Sequence, residues 1–219
     1  MPAFYACRVS SRPPPRIART VVTMNDNPEL PDLYTALRNA AAETVRVVRG
    51  IRDEPAGLDA ATPSAEWDLR TVVNHLILWT AHNFALRAEG GAVPAEWYER
   101  DFTAEPGWAD AYAEQVDKAL AAWSEPAVWK QQMPMGDSTV PATAIAGMIL
   151  LEFALHGWEV AQASGQSYLL DEATSAAVLG QVEQWAEMFR QYDGFAAPVP
   201  ISDDAPTFDR ALALSGRRR

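Results

Sequence analysis

A chain of 219 residues, 48% of them hydrophobic, carries enough apolar material for one sizeable globular core. Its formal charge is −11, and every acid lies beyond residue 25, because the first 25 residues contain Arg8, Arg12, Arg16 and Arg19 and no acidic side chain. So acidic a body argues against nucleic acid and membrane as partners, since phosphate-rich surfaces are held by basic faces.

Residues 1–25 have the arginine content of a transit peptide, but Pro13, Pro14 and Pro15 interrupt any amphipathic period. They are expected to form a disordered or mis-started leader, with Met24 as the true start. Cys7, the single cysteine, lies in this stretch. The rest of the chain therefore offers no thiolate and no intrachain disulfide, which suits a reducing cytoplasm. One helical domain is expected over residues 26–215, followed by a basic tail at 216–219.

From Pro31 the pattern is helical: Leu33, Leu37, Ala40, Ala41, Thr44, Val45 and Val48 recur at helical spacing, and Gly50 offers a stop. After a loop rich in Pro, Gly and Asp, Asp68 can cap a second helix from about Leu69 to Arg87, closed by Gly90 and Gly91. Trp97, Tyr98 and Phe102 then mark a loop packed onto the core. A third helix is expected from about Ala109 to Trp123. The stretch around Pro134 and Gly136 reads as an extended crossover or a short hairpin, and Ser138 or Thr139 as the cap of a fourth helix, about Ala142 to Ser164. That helix is apolar almost all round, which makes it central. A fifth helix begins at Asp171, and a short extra helix covers 207–214 near the C-terminus. The fold class that follows is all-α, an antiparallel helix bundle with a long crossover.

The central helix carries one narrow polar stripe, Glu152, His156 and Glu159. Four residues advance a helix by about one turn, so a carboxylate at i and an imidazole at i+4 point the same way. A second imidazole, His75, comes from an apolar stretch of the second helix. Brought together, Glu152, His156 and His75 form a two-His, one-carboxylate set with open coordination positions. Spacing alone leaves three alternatives open: the stripe faces solvent, Glu152 and His156 pair with each other, or His75 is an ordinary core histidine. An inward Glu152 without a partner costs several kcal/mol, so metal removal is expected to hurt more at pH 8 than near pH 5. His82 stands two turns from His75, about 10 Å along the axis, too far to share an ion. His82 and Trp79 are candidates for the wall of the site, and Glu159 for orienting the second ring nitrogen of His156. Arg70 and Arg87 read either as anion contacts or as solvated helix ends.

The segments TPSAEWDLRTVVNHL, PMGDSTVPATAIAGMILLEFALHGWEVAQASGQ and FAAPVPISDDAPTFDRALAL resemble actinobacterial metal-binding proteins of the DinB-like superfamily. Their relatives include the N-terminal domain of mycothiol-dependent maleylpyruvate isomerase. The resemblance spans about residues 28–215 and is most specific in W-x-x-R-x-x-x-N-H-L and E-x-x-x-H-G-W-[DE]. It implies a four-helix-bundle core holding a divalent metal, usually zinc, on His75, Glu152 and His156. Family members often carry Asp at the position of Glu159, and the isomerase has a further C-terminal domain for which this chain is too short. Metal binding is therefore expected to carry over, and maleylpyruvate isomerisation is not. The expected function is a cytoplasmic transferase or isomerase in which the metal activates an external low-molecular-weight thiol, such as mycothiol, toward a small electrophilic substrate. Metal-dependent hydrolysis and non-catalytic metal binding or sensing are the alternatives, and a homodimer is compatible with either.

Overall fold

The computed structural model describes residues 31–51, 57–64 and 67–219, so the expected leader, with Cys7 and Met24, lies outside the described residues. Within them the chain is mainly helical. Helices α1 (Asp32–Arg49), α2 (69–88) and α3 (Trp108–Trp123) precede a hairpin of β1 (Gln132–Met135) and β2 (Ser138–Pro141). Helices α4 (Ala142–Ala163), α5 (Glu172–Gln191) and α6 (Thr207–Leu214) follow. α1 packs against α3, α4 and α5, α2 packs against α3 and α4, and α6 lies along α5.

Local chemistry sets the helix starts. Asp68 accepts a hydrogen bond from the Thr71 amide (2.8 Å) and Asp171 from the Thr174 amide (2.7 Å), pairing donors that a first turn otherwise leaves unmet. The start of α4 differs from the sequence expectation. Ser138 and Thr139 sit in β2, opposite Met135 and Pro134, and α4 begins after Pro141 with no side-chain cap. Gly136, at φ +60°, makes the tight turn that commits these hydroxyl residues to the hairpin rather than to the helix.

α4 is the centre of the core, as its composition requires. Among the described residues it is the one helix with the length and hydropathy of a membrane span, yet protein covers it: Leu150, Phe153, Ala154, Trp158 and Val160 have no exposure.

Two turns depart from α geometry. Ile77–Asn83 in α2 and Glu152–His156 in α4 are π-helical, a widening that recurs at functional sites. Each wide turn is flanked by a Thr–Tyr pair of hydroxyls. The Phe153 carbonyl accepts from Thr44 Oγ1 (2.8 Å) and Tyr168 Oη (3.1 Å). The Leu76 carbonyl accepts from Thr80 Oγ1 (2.7 Å), which is bonded to Tyr112 Oη at 2.8 Å. Burial raises the pKa of both phenols, so each stays a neutral hydroxyl. Gly157 is what admits the first pair: a Cβ there would lie 2.5 Å from Thr44 Oγ1 and 2.8 Å from Tyr168 Cε2. Gly157→Ala should therefore lower stability by about 1–3 kcal/mol, read as a lower urea midpoint. An unchanged midpoint would mean that the Tyr168 ring retreats freely.

Candidate metal centre

His75 lies on α2 just ahead of its wide turn, and Glu152 and His156 are the first and last residues of the wide turn in α4. The two π segments face each other in the packing of α2 on α4. The ligand atoms of His75, Glu152 and His156 all lie within 4.8 Å of one another. His75 Nε2 is 2.6 Å from Glu152 Oε2, and His156 Nε2 is 3.4 Å from the same oxygen. The His75 and Glu152 side chains are each 4% exposed, and that of His156 is 11% exposed. The stripe therefore faces inward, and the solvent-facing alternative is removed.

These donors suit a divalent ion. Zinc binds nitrogen and oxygen at about 2.0–2.2 Å, which sets tetrahedral ligand atoms about 3.3 Å apart. The His156–Glu152 edge already has this spacing, and the His75–Glu152 edge needs to open by less than about 1 Å. Two imidazoles and one carboxylate are a borderline donor set of the kind zinc accepts with a position left open.

Burial by itself would push the Glu152 carboxyl up. The opposing effect of His75, with its charge and hydrogen bond, together with the charges of His156 and Arg217, outweighs burial and holds the carboxyl below its ordinary range. Burial lowers the pKa of His75, and Glu152 offsets part of that lowering. The His75 ring is thus neutral at pH 7, and its short bond to an ionised Glu152 places the ring proton on Nε2.

The surroundings of the cluster are built around Glu159, which is fully buried. Its Oε2 is 2.6 Å from His156 Nδ1, while its Oε1 accepts from Ser64 Oγ and Arg217 Nε, each at 2.8 Å. Burial works against the charged form of Glu159, but Arg217, His156 and Ser64 together hold its carboxyl far below the usual range. An ionised acceptor on Nδ1 puts the His156 proton there and turns Nε2, with its lone pair, toward Glu152. This is how ligating histidines are commonly held. Trp67 stacks on His156 (5.5 Å between centroids, 19° between planes) and tilts against His75 (4.9 Å). Trp79 meets His75 at 6.1 Å. The structure places His82 between Trp97 (4.8 Å) and Phe102 (5.3 Å), and Tyr98 of the same loop meets Trp79 (6.1 Å), so the aromatic loop packs onto the core as expected.

Trp79 also walls a cavity of about 190 Å³, together with Asn83, Arg87, Val93, Tyr98 and Pro134. Arg87, half-buried near the end of α2, donates to Asn83 Oδ1 (3.3 Å) and to the Pro134 carbonyl of the hairpin.

The family model described as the mycothiol maleylpyruvate isomerase N-terminal domain matches residues 37–161. The chain belongs to this family. No curated protein and no solved structure matches it. The family domain runs from within α1 nearly to the end of α4 and so contains His75, Glu152, His156, Glu159, Ser64 and Trp67. Ser64 and Trp67 lie inside the segment that carries the resemblance, but nothing in their spacing assigns them a place beside the imidazoles. Arg217 lies outside the family domain, in the stretch read from sequence as a basic tail, and the structure brings its guanidinium onto Glu159 with the side chain only 11% exposed.

Proposed function

We propose that this chain is a divalent-metal protein of the mycothiol maleylpyruvate isomerase N-terminal domain family, with zinc on His75, Glu152 and His156. The observation that carries the reading is the convergence of these three side chains inside the family domain. The bundle it implies is the DinB-like four-helix core of α1 to α4, with the hairpin in the crossover and α5 and α6 added. The activity that fits best is that of a thiol transferase or isomerase acting on a small electrophile. A zinc ion held at this point lowers the pKa of a thiol or water in its open position.

The chain's own residues divide the remaining tasks. Two neutral imidazoles and one carboxylate would leave a bound zinc ion with net positive charge, which would favour a thiolate there. Ligation by His75 requires its Nε2 proton to leave or to move to Nδ1, so metal uptake releases or relocates a proton. Glu159 keeps the Nε2 of His156 free of hydrogen, and Trp67 shields both rings from water. Trp79, which meets His75, also lines a cavity with room for a small molecule. The chain's single cysteine, Cys7, lies outside the described residues, so no described residue can supply the thiol and the reading takes it from outside. A cytoplasmic setting, with its pool of small thiols, goes with this reading.

The test is metal analysis of purified protein, followed by mycothiol consumption with a panel of small electrophiles. Consumption should stop with chelator and return with zinc. Bound zinc with no thiol consumption, but with metal-dependent cleavage of esters or amides, would move the assignment to a hydrolase. Bound zinc with neither activity would leave a metal-binding or sensing protein.

A further inference from the structure

Arg217, distant from the cluster in sequence, is tied closely to its support. α6 ends in a left-handed turn: the Gly216 amide bonds to the Ala213 carbonyl (3.0 Å), and the Arg217 amide reaches back to the Leu212 carbonyl (2.8 Å). This is a Schellman closure, which requires a residue comfortable at positive φ. Gly216 has φ +86°, and a Cβ on it would lie 2.6 Å from Ala196 Cβ and 2.9 Å from the Ala196 backbone. The turn therefore fixes where the Arg217 backbone stands. From there the guanidinium passes beside the Phe195 ring (5.6 Å) and binds Glu159 Oε1, the oxygen that Ser64 also holds. With Oε1 tied from two sides, Oε2 has one direction left, toward His156 Nδ1.

We infer that Arg217 is a positioning residue of the metal centre, acting through Glu159 on His156, so that the closure after α6 completes a site whose ligands all lie in the family domain. This rests on the metal reading proposed above. Without Arg217 the buried carboxylate has one fewer fixed donor, its aim at Nδ1 loosens, and His156 presents Nε2 less often in the ligating orientation. Loss of the direct partner of a ligating histidine, here Glu159, typically weakens metal binding by roughly 10–100-fold, and Arg217, one contact further out, is expected toward the lower end of that range.

The experiment measures zinc affinity of the full chain by competition with a chromophoric chelator, and the visible absorption of the cobalt-loaded protein. Wild type is compared with Arg217→Gln, Arg217→Lys, Gly216→Ala, Glu159→Gln and the Glu159→Gln/Arg217→Gln pair. Arg190→Gln is the structural control, because Arg190 also holds the end of α6, through the Leu214 carbonyl (3.2 Å), without touching Glu159. Arg217→Gln and Gly216→Ala should weaken zinc binding roughly 10-fold and alter the cobalt spectrum. Arg217→Lys should recover part of the affinity, the pair should be no weaker than Glu159→Gln alone, and Arg190→Gln should bind zinc as wild type does. Wild-type zinc binding with Arg217→Gln within twofold of it overturns the inference and leaves the metal reading standing. An equal loss in Arg190→Gln also overturns it, since the effect is then a general loosening of α6. Absence of zinc binding in the wild type overturns the metal reading itself, and the inference falls with it.

Discussion

Zinc should raise the melting temperature of the wild-type chain with the logarithm of its free concentration once that exceeds the dissociation constant, and His75→Ala, Glu152→Ala and His156→Ala should each abolish that rise. Binding to the folded state alone adds about 2.7 kcal/mol when free metal is a hundredfold above the dissociation constant. For a domain of this size, at about 2–4 °C per kcal/mol, the rise is roughly 5–11 °C. His75→Ala and Glu152→Ala also lose stability without zinc, because each leaves the other member of the buried His75–Glu152 hydrogen bond unsatisfied, a loss of about 1–3 kcal/mol or more. The zinc-dependent increment, not the absolute melting temperature, is therefore the quantity to compare. His82→Ala should keep the full increment, since its ring lies between Trp97 and Phe102. A full increment in His156→Ala, or an equal loss in His82→Ala, would mean that the wrong three residues have been chosen.

The parts of this structure that were legible in the sequence depend on near neighbours. Asp68 announces its helix because a cap acts within three residues, and it makes the expected bond; Asp171, read only as the start of its helix, makes the same kind of bond. α4 is readable as the central helix because it is apolar almost all round and its ionisable side chains are confined to one stripe, and Glu152, His156 and Glu159 on that stripe are turned inward. What was not legible depends on geometry or distance. An α-helical period puts Glu152 and His156 on one face, but nothing in that period shows that the turn between them is π-helical, or that the Phe153 carbonyl is met by Thr44 and Tyr168. Ser138 and Thr139 look like caps because their hydroxyls can serve a helix start or a strand equally, and the choice was made by the turn at Gly136. Arg217 pairs with a residue 58 positions away, and no local pattern distinguishes an arginine that returns to the core from one in a solvated tail.

Without metal, the protein should lose stability as the pH falls from about 7 toward 4, the reverse of what an uncompensated Glu152 would give. A lone buried carboxylate would be relieved by protonation. Here the Glu152 carboxylate accepts a hydrogen bond from His75, and its carboxyl is held below its ordinary range even though burial pushes the other way. A group whose pKa is depressed on folding contributes stability that is present above its unfolded value and is lost as the pH falls through the folded one. For Glu152 and Glu159 that loss begins below the unfolded glutamate value of about 4.3. His75 is also depressed, chiefly by burial, so its loss begins earlier, below the unfolded histidine value of about 6.5. All three shifts have the same sign, and the denaturation midpoint in excess chelator should fall in two stages across this range. Zinc steepens the dependence, because protons compete for the ligand atoms. The penalty for stripping metal should therefore be larger at pH 8 than near pH 5, through loss of binding at low pH and not through relief of Glu152. Glu152→Gln should remove part of the lower stage and leave the upper stage, which belongs to His75. A chelated wild-type protein that became more stable between pH 7 and pH 5 would show that Glu152 is not paired with His75, and the arrangement of the centre would have to be redrawn.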